Sequence, residues 1–204
     1  MKNIIKVLRS QFIKFDIDGY IIPKNDEYFS EYSNEDRLKE VSNFTGSAGY
    51  AVILQNKNYL FVDGRYTIQA RIESGKKFTI LDYSKIINCK VFRNLKIGFD
   101  PKLFTSGQIK KIFSNNSPKS IKKNLINEVI NLKKIKIKPF YSLDQKITGE
   151  SHQKKIKRVI RYLNKNKLDY LLITAPENVA WLLNIRGHDS PNSPIPNSNL
   201  LISK

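Results

Sequence analysis

Two apolar runs, residues 50–54 (YAVIL) and 59–62 (YLFV), stand on either side of Asn56-Lys57-Asn58. Runs of this length bounded by turn residues read as β-strands. Asn tolerates the positive φ that a tight reversal requires, so the pair is a hairpin. The remaining elements must fit around it. Upstream, Ile4, Ile5, Leu8, Phe12 and Phe15 recur at helical spacing and predict an opening amphipathic helix. Gly19 ends the connection after it, and residues 20–22 form a short strand closed by Pro23. A polar and aromatic loop follows. Asn34 then caps a helix running to about Val41, with Glu35 and Asp36 favourable in its first turn. After the hairpin, residues 66–74 read as a helix stopped by Gly75. Strands are expected at 78–81 and 96–99, and a helix at 106–113. Residues 121–138 are ambiguous, with apolar and basic residues alternating near IKIKPF as in a strand. Strands alternating with helices, plus one hairpin, predict an α/β domain with a mixed sheet.

The turn-rich stretch PFYSLDQKITGE marks a boundary, giving domains at 1–140 and 141–204. Beyond it the pattern restarts. A helix is expected at 152–163 with Ile156, Val159, Ile160 and Leu163 on one face, a strand at 169–174, and a helix at 176–183 opened by Pro176, a favoured first position. A long loop then leads to the apolar Leu200, Leu201 and Ile202. One helix-strand-helix-strand unit does not close a core of its own. The expectation is therefore an incomplete second domain, in a fragment or a truncated gene product.

Composition excludes several classes. A chain of 204 residues can bury roughly 70% of its unfolded surface without a disulfide or metal. No run of about 18 apolar residues is present, and the lysine-interrupted N-terminus does not resemble a signal peptide. Cys89 is the only cysteine, so no internal disulfide is possible, which fits a reducing compartment. The formal charge of +18 would attract nucleic acid or anionic membrane. However, the lysines are dispersed, no nucleic-acid motif accompanies them, and abundant Lys, Asn and Ile fit codon bias in an AT-rich genome.

Candidate chemistry is sparse. His152 and His188 are the only histidines, and no paired Cys or clustered Asp/His/Glu set accompanies them, so no metal site and no catalytic residue is expected in this chain. There is no G-x-S-x-G elbow. The glycines of GSAG, residues 46–49, match no phosphate-binding fingerprint and read as a tight connection into the strand at Tyr50. Two charged groups stand out. Glu31, between Ser30 and Tyr32, offers a carboxylate to a peptide amino terminus or a basic side chain. Arg65, after Asp63-Gly64 at a strand end, offers a forked donor to carbonyls or carboxylates. Spacing alone favours reading both as solvated surface ions or as a mutual pair.

Taken in order, these residues resemble the first domain of Xaa-Pro aminopeptidases (aminopeptidase P). The matching elements are Pro23, Ser30-Glu31-Tyr32, the FTGSAG of residues 44–49, Asp63-Gly64-Arg65-Tyr66 with Gln69 and Ala70, and the later IGFDP at 97–101. Asn43 departs from the glycine usual there. AWLLNIRGHD is similar to the family's second-domain stretch A-W-L-x-N-x-R-G-x-D, with His188 where a small residue is common. The resemblance implies a creatinase N-terminal-like fold and a cytoplasmic, homodimeric hydrolase. Such enzymes remove the first residue of peptides with proline in second position. It further implies that two divalent metals, usually manganese, belong to a pita-bread catalytic domain outside these residues. Glu31 and Arg65 then match positions facing the substrate cleft. The competing readings are a stand-alone peptide-binding or dimerisation module and a basic nucleic-acid-binding protein.

Overall fold

The strand Gly19–Pro23 (β1) has every one of its five residues buried, and the rest of the first unit is arranged around it. In the computed structural model, which describes residues 4–30, 35–87, 89–114, 116–130, 138–190 and 192–204, the chain divides into two units, Met1–Lys133 and Lys134–Lys204. The first unit runs α1 (Ile4–Ser10), β1, α2 (Arg37–Ser42), β2 (Gly49–Leu54), β3 (Asn58–Val62), α3 (Thr67–Ser74), β4 (Thr79–Asp82), β5 (Ile97–Phe99), α4 (Ser106–Ile112) and β6 (Lys119–Ser120).

Its sheet has the order β4-β3-β2-β1-β5-β6. The expected hairpin is present, with β2 antiparallel to β3 in the register Ile53↔Asn58 and Gly49↔Val62. β1 pairs antiparallel with β2 and parallel with β5. β4 and β6 join in parallel at the two edges. The sheet is thus mixed, as expected. Side chains alternate between its faces. Tyr20, Ile22, Ala51, Ile53, Leu60 and Val62 pack with α1, α2 and α3 through Leu8, Leu38 and Ala70. Ile21, Tyr50, Val52, Tyr59 and Phe61 pack on the other face with Phe92, Phe104 and Ile112 of α4.

Two local expectations are corrected. The opening helix ends at Ser10 rather than running to Phe15: the amides of Gln11 and Phe12 bond back three residues, to Leu8 and Arg9 carbonyls at 3.1 Å. This tightening reverses the chain through Asp16 at φ 47° while still burying Phe12. Asn34 lies outside the described residues. The side chain that caps α2 is Asp36, which accepts the Lys39 amide at 3.0 Å. In the ambiguous stretch, residues 131–137 also lie outside the described residues. One departure from the family pattern is explained by this geometry. Asn43 ends α2 in the left-handed conformation, φ 65°, where glycine is the default and asparagine the next best tolerated residue.

The loop after α2 is tied to α3 by a small polar network. Glu73 accepts from the Thr45 amide at 2.8 Å and from Thr45 Oγ1 at 2.7 Å, and Gln69 Nε2 donates to both Thr45 Oγ1 and Glu73. Burial pushes the Glu73 carboxyl up, but the donors from Thr45 and Gln69 outweigh it and hold it below its ordinary value.

The second unit comprises β7 (Tyr141–Ser142), α5 (Gln145–Thr148), α6 (His152–Lys165), β8 (Tyr170–Ile173), α7 (Pro176–Leu183), β9 (Ile185–Arg186) and β10 (Leu200–Ser203). Ile156, Val159, Ile160 and Leu163 of α6 pack on Leu171, Ile173, Leu200 and Ile202 of the antiparallel β8–β10 pair. Pro176 opens α7 at the expected position. A second pair, β7 with β9, was not legible in advance because each strand has only two residues.

Two outcomes follow from this packing. Phe61→Ala, at a fully buried site, is expected to destabilise the first unit by about 3–5 kcal/mol in denaturant titrations followed by circular dichroism. For Glu73 the folded pKa lies below the ordinary 4.5, so its contribution is present above the unfolded pKa and is lost as pH falls through the folded one. The stability difference between wild type and Glu73→Gln should therefore be full at neutral pH and close progressively below that value. A difference unaffected by acid would contradict the assignment.

Candidate functional site

Strand direction gathers the candidate segments. β1 ends at Pro23 opposite Tyr50, near the start of β2, and β3 ends at Val62 opposite Gly49. The Lys24 amide donates to the Gly49 carbonyl at 3.1 Å. Three connections consequently leave the same end of the sheet: the segment after Pro23, the loop entering β2, and the turn after β3. β5 runs parallel to β1, so the Asp100–Pro101 turn arrives there as well, and Asn25 Nδ2 reaches the Leu103 carbonyl at 3.0 Å. The carboxyl ends of strands in open α/β sheets are where ligands are commonly bound.

Arg65 sits on the turn after β3. Asp63 caps that turn by accepting the Arg65 amide at 3.0 Å, and the same Oδ1 accepts Arg65 Nε at 2.9 Å. The guanidinium also lies over the Tyr66 ring, 5.4 Å from its centroid. Its side chain is 73% exposed, so the pairing contributes little to stability; what it does is hold the fork in one orientation at the surface. The Arg65 hydrogen bonds keep the Asp63 carboxyl below its ordinary range. Tyr66 in turn shares a 2.9 Å hydrogen bond between its hydroxyl and Ser47 Oγ and meets Phe44 edge-on at 5.8 Å. Gly46 permits this closure: a Cβ there would come within 2.3 Å of the Phe44 ring and 3.0 Å of the Tyr66 ring. The glycines of GSAG therefore serve a close approach, as expected from their sequence, and Arg65 rests on a base built by the loop.

Glu31 lies outside the described residues, so no distance between it and Arg65 enters the site. The flanks of its segment are described. Asp26, 5% exposed, accepts the amides of Tyr28 and Ser30 at 2.9 Å each, and burial raises its carboxyl above the ordinary value. Lys24 pairs with Asp36. Arg37 is 1% exposed and bonds to Glu27, Glu35 and Asn127. Sequence reasoning passed over Arg37, because an arginine in the first turn of a short helix reads as surface.

The second-unit motif works locally. Lys155, 3% exposed, donates to the Trp181 carbonyl and to Asn184 Oδ1 at 2.7 Å each and lies 4.1 Å from the centroid of the Trp181 ring. Asn184, left-handed at φ 55°, donates to Thr148 Oγ1 and the Glu150 carbonyl. Asp189 accepts the Asn197 amide at 2.7 Å. These residues join that unit's own loops. His188 is exposed beside Tyr141, with ring centroids 5.4 Å apart, and His152 begins α6. Among the described residues no three His, Cys, Asp or Glu side chains come together as a metal site, so a di-nuclear metal centre does not fit the groups present here. No helix among them is long and apolar enough to cross a membrane.

Known proteins resemble this chain along most of its length. Residues 5–129 match the model of the Creatinase/Prolidase N-terminal domain, and residues 131–204 match a second model of the same description. A probable Xaa-Pro aminopeptidase P of Coprinopsis cinerea is 31% identical over 94% of this chain and 33% of its own length. Xaa-Pro aminopeptidase 2 of Rattus norvegicus is 31% identical over 93% of this chain and 31% of its own. The crystal structure of the X-prolyl aminopeptidase of Caenorhabditis elegans, described as a cytosolic enzyme with a di-nuclear active site, superposes with a TM-score of 0.86 at 29% identity, covering 98% of this chain and 37% of that one. The chain thus spans about a third of the length of the curated relatives it matches. On the family match and the fold together, the chain belongs to the creatinase/prolidase N-terminal domain family.

Proposed function

We propose that this chain is the non-catalytic N-terminal portion of a metal-dependent Xaa-Pro aminopeptidase, a cytoplasmic hydrolase that removes the first residue from peptides with proline in second position. The observation that carries the reading is the likeness to the X-prolyl aminopeptidase of Caenorhabditis elegans along 98% of the chain. In this reading residues 1–140 form one creatinase N-terminal-like domain and residues 141–204 belong to a second. They shape the substrate cleft and help to build a homodimer. Two divalent metals, manganese in this proposal, belong to a catalytic domain outside these residues, where they supply Lewis-acid polarisation and a bound hydroxide.

What these residues supply is selection. A peptide end enters a cleft with a cationic amino terminus and carbonyl oxygens to be oriented. Glu31 neutralises the former and Arg65 donates to the latter. Support for the Arg65 role comes from its seat, since a guanidinium oriented by Asp63 and Tyr66 loses less freedom on binding than a solvated one. A domain placed over a metal site also excludes folded and long substrates, and ligand sites commonly form at such interfaces.

Two measurements test the reading. In a complete Xaa-Pro aminopeptidase carrying this region, Glu31→Ala and Arg65→Ala should each lower kcat/KM for an Xaa-Pro peptide roughly 10- to 100-fold, the effect of removing one charge-assisted hydrogen bond. Wild-type turnover in both variants removes the substrate-facing role. Purified residues 1–204 incubated with manganese should release no N-terminal residue from such a peptide; release would place catalysis within this chain and overturn the proposed division of labour.

A further inference from the structure

A groove of about 500 Å³ lies between α1 and the turn of the β2–β3 hairpin, at the end of the sheet opposite Arg65. Lys6, Arg9 and Lys77 line it, and no carboxylate does. Arg9 is held in place by neutral acceptors. Its Nε donates to the Leu54 carbonyl and its Nη2 to Asn58 Oδ1, each at 2.8 Å, and Asn58 Nδ2 donates on to the Lys77 carbonyl at 2.9 Å. Arg9 Nη1 and the Lys77 ammonium bond to none of the described residues. Partial burial without a counter-charge lowers the Arg9 pKa from its ordinary value. The three segments that meet here, residues 4–15, 55–58 and 75–78, hold six Lys or Arg and no Asp or Glu, whereas the whole chain has 36 of the first kind and 18 of the second. Like charges gathered around a partly desolvated guanidinium repel one another and cost stability, and a bound anion removes that cost. The groove also has an apolar side, formed by Ile5 and by Ile13, which is 90% exposed. Its volume suits a small organic molecule.

We propose that this groove binds a phosphate monoester with an apolar substituent, its phosphate held by Arg9 and Lys77 beside Lys6 and its apolar part against Ile5 and Ile13. The number of cations selects the dianion. A phosphate monoester carries about −1.5 to −2 charges at neutral pH and presents three acceptor oxygens, whereas a carboxylate brings a single charge. The guanidinium is already oriented by Leu54 and Asn58, so it loses little freedom when it takes a ligand. The site does not depend on the substrate-facing roles of Glu31 and Arg65, because it is built from the other end of the sheet.

Octyl phosphate is the probe. It is titrated into residues 1–204 at about 0.15 M salt, where attraction between distant exposed charges is largely screened, and followed by amide chemical shifts. Saturable shifts are expected at residues 5–13, 55–58 and 76–78. Octanol and inorganic phosphate should each bind roughly 10-fold or more weakly, since each lacks one half of the ligand. Arg9→Gln should weaken octyl phosphate roughly 10- to 100-fold, the effect of one charge-assisted hydrogen bond. Lys77→Gln should weaken it roughly 5-fold or more, and it decides the matter if Arg9→Gln fails to fold, because the Lys77 side chain is exposed. Lys165→Gln, at an exposed position of α6, should bind as wild type does. Absence of saturable shifts at these amides overturns the proposal. So does an equal loss in Lys77→Gln and Lys165→Gln, which would mean diffuse attraction to a basic protein. Octanoate binding as tightly as octyl phosphate would overturn the choice of a dianion, and inorganic phosphate doing so would overturn the role of the two isoleucines.

Discussion

The double-sided burial of β1 is the constraint on which the first unit depends. Its hydrogen-bonding edges are taken by β2 on one side and β5 on the other, and its side chains enter both apolar layers. A strand in that position cannot shift register without moving Tyr20 and Ile22 out of one core and Ile21 out of the other. Because its register is locked, the exit at Pro23, the entry at Gly49 and the exit at Val62 are brought to one end of the sheet. The candidate site is a consequence of that convergence, not of any one loop.

The loops at that end are held by side-chain geometry as well as by apolar burial. Gly46 admits the Phe44 and Tyr66 rings, Tyr66 supports the Arg65 fork, and Thr45 is clasped by Glu73 and Gln69. Most letters of the FTGSAG and DGRY-x-x-Q-A patterns therefore have a local physical reason that makes no reference to substrate. Arg65 too has local partners, Asp63 and the Tyr66 ring, but with its side chain 73% exposed this pairing contributes little to the fold. In the second unit Lys155 and Asn184 are buried and bonded to each other and to the loops around them, whereas the Trp181 side chain is exposed.

Much of the fold was legible because its signals are local. The β2–β3 hairpin, the helix opened by Pro176, the α6 face and the stop at Gly75 each rest on a few neighbouring residues. The misses share one cause, which is that a distant partner decided the outcome. The first helix stops at Ser10 because the chain must turn back through Asp16 to reach β1. The two-residue strands β7 and β9 exist only because they find each other. Arg37 looks like a surface residue until Glu27, Glu35 and Asn127 close over it.

Taken alone, the amino-acid order settled the types of the longer elements, the mixed α/β class, the family likeness and the identity of Arg65 as a candidate, since periodicity, turn chemistry and motif spacing are properties of short stretches. Tertiary structure decided which connections share an end of the sheet, how Arg65 is seated and that Arg37 is buried. Those outcomes depend on strand pairing and on contacts between residues far apart in sequence, and no local window of the chain contains both partners.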